Sequence, residues 1–337
     1  MQLSVIVIAY AMQREIPRTL QALARSYQTI GADLDYEVIL VDNGSPEPLR
    51  TDALSDAVPV QLLRIEGAAA SPAQALNRAA ELAQGEVLCL MIDGAHLLTP
   101  GVFEWALRAF AAFTCPVVAA RYFYMGPGEQ PETVLQGYNQ AAEDALLQQI
   151  DWPRDGYRLF EVGTPLSGGA ANITWFNRMF ESNCLFMTRE HYFAVGGSDE
   201  RFDLPGGGFL NLDLYKRALD AAGAVSVQLV GEGSFHQVHG GTTTNSERLA
   251  REARLADYRR QYETLRGHSQ LLSDKPLQFL GHLPTQASKI HLRKRRGCPL
   301  RPPAVLPQPA AGCRQSGGTG RASIAFSSCT LASSSAR

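Results

Sequence analysis

Three side chains, Tyr10, Asp42 and Asp93, each stand just past a short run of β-branched and aliphatic residues. An aromatic ring and two carboxylates delivered in this way are groups for holding a ligand: the ring offers a flat apolar face and the carboxylates accept hydrogen bonds. In open α/β sheets, ligands bind outside the carboxyl ends of the strands. Commoner chemistries are excluded by what is missing. Ala9-Tyr10-Ala11-Met12-Gln13 follows the first run where a dinucleotide-binding unit needs GxGxxG. None of the four Lys, at 216, 275, 289 and 294, lies in a GxxxxGK[ST] context, and GxSxG and HExxH are absent. The six Cys are dispersed without a CxxC pair, which reads as reduced thiols and no structural zinc.

The elements that must position these residues follow a strand-then-helix rhythm, the mark of an α/β fold with a largely parallel sheet. Strands are expected at Leu3 to Ala9, Tyr36 to Val41, Val60 to Ile65 and Val87 to Ile92. Pro17 opens one helix and Ser71-Pro72 another, the second closed by Gly85. From Gly126 to Asn177 a polar helical segment, Pro131 to Ile150, precedes a Gly/Thr/Ser/Asn-rich loop from Gly163 to Asn172. Pattern resumes with strands at Cys184 to Met187 and Val225 to Val230 around a helix from about Leu210 to Ala221. His236-Gln237-Val238-His239-Gly240-Gly241 and a charged helix from Ser246 to about Arg266 follow.

The 337 residues carry 31 basic and 33 acidic side chains, with 45% apolar residues, an ordinary globular composition. Ten of the basic residues and no acidic one lie from Lys275 onward, which leaves 21 against 33 before it. Leu3 to Tyr10 lacks a basic flank and is far shorter than the roughly 20 residues that cross a bilayer, so a soluble, cytoplasmic protein is expected.

Five segments, taken in order, resemble the family-2 glycosyltransferases of the GT-A fold: Leu3 to Tyr10; Glu37 to Ser45 with its Asp42-Asn43-Gly44-Ser45; Ala75-Leu76-Asn77-Arg78-Ala79-Ala80 with Gly85-Glu86-Val87; Leu90 to Asp93 with Pro100-Gly101; and Gly196-Gly197-Ser198-Asp199-Glu200-Arg201-Phe202. Each is weak alone, and the ordered set is specific. The resemblance implies an inverting transfer of a sugar from a nucleoside-diphosphate donor, UDP-sugar favoured, to an acceptor hydroxyl. The acceptor would be a saccharide or a lipid-linked molecule, with no nucleic-acid partner. It implies a GT-A domain over 1–245, with a nucleotide-binding half to about 125 and an acceptor half beyond, a peripheral extension over 246–288, and a basic, low-complexity tail without fixed structure over 289–337.

Residue roles follow from the same resemblance. Ala9, Tyr10, Asp42 and Asn43 would hold the base, although Asp42 to Ser45 is also sufficient as a turn. Asn77 and Arg78 would approach the ribose or diphosphate, or stand as solvated helix positions. The family's Asp-x-Asp becomes Asp93-Gly94-Ala95-His96, so a Mn²⁺ or Mg²⁺ would rest on Asp93 with His96, His236 or His239. Either ion is compatible, nitrogen ligands suiting Mn²⁺ better, and His96 also reads as a structural histidine. The glycines and hydroxyls of 240–245 suit a phosphate. The family's base position falls on Leu210-Asn211, and Asn cannot accept a proton, so the role passes to Asp213, Asp199, Glu200 or Asp203, or is absent, with Asp213 and Asp199 ranked first. Arg293-Lys294-Arg295-Arg296 allows membrane association through anionic lipid, against a plain solvated extension. A binding protein that kept the fold and lost catalysis, and a nucleotidyltransferase, are the competing readings.

Overall fold

The computed structural model describes residues 1–31, 33–50, 58–168, 170, 173–180, 183–240 and 248–288. The glycine- and hydroxyl-rich stretch 241–245 and the basic tail lie outside them.

Alternation of apolar side chains along β1 (Leu3–Ala9) feeds two cores at once. Leu3, Val5, Val7 and Ala9 enter one, and Ile6 and Ile8 the other. A strand apolar on both faces must lie inside a sheet covered on both sides. The first cover is α1 (Ile16–Leu23), which follows a turn that begins with Ala11 at φ +53°. Next come β2 (Tyr36–Asp42), β3 (Val60–Arg64), α2 (Ala73–Leu82) and β4 (Val87–Met91). These four strands pair in parallel in the order β3-β2-β1-β4, so Arg64, Asp42, Tyr10 and Asp93 arrive at one edge. The α/β class, the central sheet with flanking helices, and these four strands agree with the sequence.

The middle of the chain was less legible. After Asp93 the chain doubles back through the three-residue β5 (His96–Leu98), then α3 (Val102–Ala112) and the ten-residue β6 (Pro116–Met125). The segment Pro131 to Ile150, expected as one helix, is broken by Gly137 at φ +98° into α4 (Gln130–Thr133) and α5 (Gln140–Gln149). Then follow α6 (Leu159–Val162), β7 (Gly163–Pro165), β8 (Leu185–Thr188), α7 (Arg189–Ala194), α8 (Leu210–Asp220) and β9 (Val225–His236). β8 runs antiparallel to both β4 and β6, so β6 and the β9 beside it point the same way as β1. β9 is twice the length expected, and that extra length carries His236 to the edge where Asp93 emerges.

Beyond β9 the sequence predicts a peripheral extension. Instead α9 (Arg248–Arg266) buries Tyr258 and Tyr262 against Phe202 and Phe209, and β10 (Leu277–Gly281) adds a parallel edge strand to β9. The physical reason is apolar: two aromatics on an otherwise charged helix are enough to fix it to the core, each fully buried ring contributing about 1.5–3 kcal/mol. Among the described residues no helix is long and apolar enough to cross a membrane.

Candidate active site

Gly94 gives the edge its shape. Its N–H donates to the Ile8 carbonyl at 2.7 Å, and a Cβ there would stand 2.6 Å from that oxygen, so only glycine lets the chain turn this close to β1. Asp93, just before the turn, is held on its backbone by Asn183: the Asp93 N–H donates to Asn183 Oδ1 at 2.7 Å, and Asn183 Nδ2 donates to the Asp93 carbonyl at 2.6 Å. Ala95 N–H donates to Asp93 Oδ1 at 2.9 Å, which leaves Oδ2 for what stands opposite.

Two imidazoles stand opposite. Asp93 Oδ2 is 3.3 Å from His236 Nε2 and 3.1 Å from His239 Nε2, and these nitrogens are 3.0 Å apart. The tautomer of His236 is set from behind. Gln130 Nε2 donates to the carbonyls of Met125 and His236, which turns Gln130 Oε1 toward His236 Nδ1 at 2.5 Å. Nδ1 therefore carries the hydrogen, and Nε2 presents a lone pair to Asp93. His96 pairs with His236 across β5 and β9. Its Nδ1 meets Ser234 Oγ at 2.7 Å, and its Nε2 is buried without a hydrogen-bond partner. Asp93, His96 and His236 offer ligand atoms within 4.8 Å of one another.

Burial, and then His236, hold the His96 pKa well below the usual imidazole value, and burial lowers that of His236. Both rings are neutral, the form that ligates metals. Burial opposes charge on His239 and on Asp93 as well, but there their mutual attraction wins: His239 is raised, and Asp93 is held well below the carboxylate range. The three atoms Asp93 Oδ2, His236 Nε2 and His239 Nε2 form a triangle with edges of 3.0–3.3 Å. Such edges suit ligands about 2.1 Å from a first-row divalent ion. A mixed nitrogen and carboxylate set fits Mn²⁺ better than Mg²⁺. The residues present thus fit the implied metal.

On the nucleotide side, Tyr10 is 54% exposed at the end of β1, an open aromatic face. The strained Ala11 behind it donates its N–H to Ser45 Oγ at 2.9 Å. Ala9 is buried, and its carbonyl accepts from Asn43 N–H. Asp42 does what its turn reading requires. Its buried carboxylate accepts from the N–H groups of Ser45 and Leu49 at 2.9 and 3.1 Å and from Arg64 at 2.5 Å. Against burial, these bonds lower its pKa. The carboxylate is committed to the loop.

Asn77 is likewise committed. It accepts from the Tyr192 hydroxyl and Ser198 N–H, and donates to the Ser198 carbonyl and to Glu200 Oε1, which pins α2 to the Gly-Gly-Ser-Asp turn. Arg78 is exposed and has no ion pair among the described residues. For the base, the structure sets Asp213 and Asp199 aside. Asp213, 1% exposed, is gripped by Arg217 at 2.7 Å and by Arg266 at 2.5 and 2.7 Å, and Asp199 by Arg201 and Arg266. Hydrogen bonds from Arg201, and then from Arg266, drive the Asp199 pKa far down, so it holds no proton at working pH and is a weak base. Glu200 is exposed and, among the described residues, accepts from Asn77.

Sequence reasoning missed Gln130 and Asn183, because their role is to orient other site groups across 106 and 90 positions of chain. No local pattern marks such a role. It also missed Arg266, whose pairing with two carboxylates has no periodic signature.

With this geometry in hand, comparison with known proteins shows that residues 4–163 match the model of glycosyl transferase family 2. Among curated proteins none matches. Similar solved structures include S. aureus TarS residues 1–349 in complex with UDP, at 14% identity and TM-score 0.44, covering 78% of this chain and 72% of that one. The same TarS fragment without ligand is similar at 14% identity and TM-score 0.47, covering 79% and 73%. Its complex with UDP-GlcNAc is similar at 14% identity and TM-score 0.46, covering 78% and 73%.

Proposed function

With residues 4–163 a glycosyl transferase family 2 segment, we propose that the protein transfers a sugar from a nucleoside-diphosphate donor, a UDP-sugar, to an acceptor hydroxyl with inversion. The observation that carries this reading is the convergence of Asp93, His236 and His239 at the same sheet edge as the exposed Tyr10 ring. Tyr10 stacks on the base, and Arg78 is available to the donor's negative charge. Asp93, His236 and His239, with His96 behind them, would hold a divalent ion, which would supply charge neutralisation for the diphosphate. Asn183 and Ala95 keep Asp93 aimed, and Gln130 keeps the His236 lone pair forward. Glu200 takes the proton from the acceptor hydroxyl. The hydroxyl oxygen then bonds to the anomeric carbon from the face opposite the leaving group, and the carbon–oxygen bond to the diphosphate breaks with its electron pair on the nucleotide.

The test is a melting panel of UDP, GDP, CDP and dTDP with and without Mn²⁺. UDP should raise the midpoint, and more so with Mn²⁺. Absence of any shift with every nucleotide at millimolar concentration would sink the reading. The Arg266 grip on both Asp199 and Asp213 favours one second reading, a nucleotide-sugar-binding protein without turnover. Binding without donor consumption in the presence of diverse acceptors would select it.

A further inference from the structure

Arg121 is an arginine inside a sheet. It is 5% exposed on β6, and no carboxylate among the described residues faces it. Its Nη2 donates to the carbonyls of Trp175 and Asn177 at 3.2 and 2.7 Å, and its Nε is buried with no partner. A second guanidinium shares the same cavity. Arg178 Nη2 donates to the Lys275 carbonyl at 2.8 Å, while its Nη1 is also buried without a partner. The cavity, of about 70 Å³, is lined by Arg121, Arg178, Tyr122, Ser167, Asn177 and Phe180 among others, and none of its lining residues is acidic.

Arg121 is buried and Arg178 half-buried, each has a buried nitrogen without a partner among the described residues, and no described acidic residue lines the space they share, an unusual arrangement, since buried charges are paired as a rule. Burial pushes the Arg121 pKa down only to about 10, so the charge persists at neutral pH. The walls are preformed. Gln228, fully buried on β9, accepts from Met179 N–H at 2.9 Å and donates to the Asn177 carbonyl at 3.1 Å, which fixes the segment carrying Arg178. The volume is several times the roughly 10–15 Å³ that one water needs, enough for a carboxylate or phosphate group and too small for a sugar ring.

The cavity adjoins the metal-binding cluster. Tyr122, which lines it, stacks on the His236 ring with centroids 5.8 Å apart and meets His96 edge-on at 4.9 Å. In the sheet order β9-β6-β8-β4-β1-β2, β6 lies between β9, which carries His236, and β4, which leads to Asp93, three strands from Tyr10 on β1. With the base proposed at Tyr10, three strands away, the acceptor is the substrate assigned to this pocket. We infer that Arg121 and Arg178 form a subsite for an oxyanion, a carboxylate or phosphate group, carried by the acceptor. The acceptor part of this statement rests on the glycosyl-transfer reading, whereas the oxyanion part rests on the cavity alone.

The experiment follows thermal melting of the full chain in inorganic phosphate or in acetate, against chloride at equal ionic strength, with Arg178→Gln and Arg121→Lys alongside. Phosphate stabilises proteins generally by exclusion from their surfaces, so the comparison between variants decides. One of the two anions should raise the midpoint saturably, and which one does so names the group. Arg178→Gln should weaken that response about tenfold, the loss expected for one charge-assisted bond, with the UDP response unchanged. Arg121→Lys should weaken it too. Arg178 makes a single backbone bond, so its variant decides alone if Arg121→Lys does not fold. Anion responses no greater than chloride's, or equal in wild type and both variants, overturn the subsite. A missing UDP response beside an intact, variant-sensitive anion response counts against the donor reading and leaves the oxyanion pocket standing.

Discussion

Asp93 faces two imidazole nitrogens within 3.3 Å while its backbone is clamped by Asn183. Asp93→Ala should abolish the extra UDP-dependent stabilisation that Mn²⁺ brings. It should leave the far-ultraviolet circular dichroism unchanged, because the turn is set by Gly94 and not by the carboxylate. Equal Mn²⁺ effects in both proteins would refute the ligand assignment. The carboxylates of the other candidate region divide by their partners. Glu200→Gln should cut turnover by about a hundredfold or more with little change in nucleotide affinity, the signature of a lost base. Asp213→Asn should act on stability instead, lowering it by about 2–4 kcal/mol because Arg217 and Arg266 would lose a buried partner. Denaturant unfolding and steady-state kinetics on the two variants separate these effects.

At the scale of elements, β9 does most of the positioning. Besides carrying His236, it buries Glu232, which accepts from the Thr99 hydroxyl and from Gly101 N–H at 3.2 Å, and from the Tyr157 hydroxyl at 2.8 Å, with His282 at 3.7 Å. Burial raises its pKa to about 7, against roughly 4.3 in the unfolded chain. The folded state thus binds the proton more tightly. Its contribution is fully present below about pH 4.3 and is lost as pH rises through about 7, a change on the order of 3 kcal/mol. Glu143, also raised to about 7 by burial, acts in the same window. Glu232→Gln should make stability depend less steeply on pH, in the direction of a smaller fall between about pH 4.5 and pH 7.5, read from urea midpoints. An unchanged slope would show that Glu232 is solvated. The sequence made β1, β2 and β4 legible because uninterrupted aliphatic runs have few other fates. It hid β5, three residues long, and β6, which opens on Pro116 and mixes Arg121 with aromatics. His96 was therefore visible as a candidate while the strand that faces it toward His236 was not.

For the whole molecule, the described body runs to residue 288, and the chain beyond it is expected to be dispensable. Ending the protein at Ser288 should leave the melting midpoint and the UDP response as they are. Ending it at Gly240 should lower the midpoint by about 10 °C or more. That cut removes the Tyr258 and Tyr262 rings from the core, takes Arg266 from Asp213 and leaves β9 without its edge partner. Equal melting of the two truncations would mean that α9 and β10 are ornaments to the fold. Their integration was hidden because charge dominates α9, and only two of its nineteen residues carry the buried rings. The three parallel pairings of β1, β2, β3 and β4 follow from local runs, whereas everything that closes the other end of the sheet depends on contacts remote in sequence.

Asp93 and its two histidine partners are separated by 143 and 146 positions, which has a consequence in time. β1, α1, β2, β3, α2 and β4 can assemble from neighbouring segments, but the triad exists only after β9 has closed a loop of well over a hundred residues and docked beside β6. Such closures come late, since their entropy is lost before their contacts form. If the triad holds the proposed ion, metal affinity is a clock for the final step of folding: a refolding chain should regain most of its circular dichroism before it regains Mn²⁺ binding, and bound metal should slow unfolding far more than it speeds refolding.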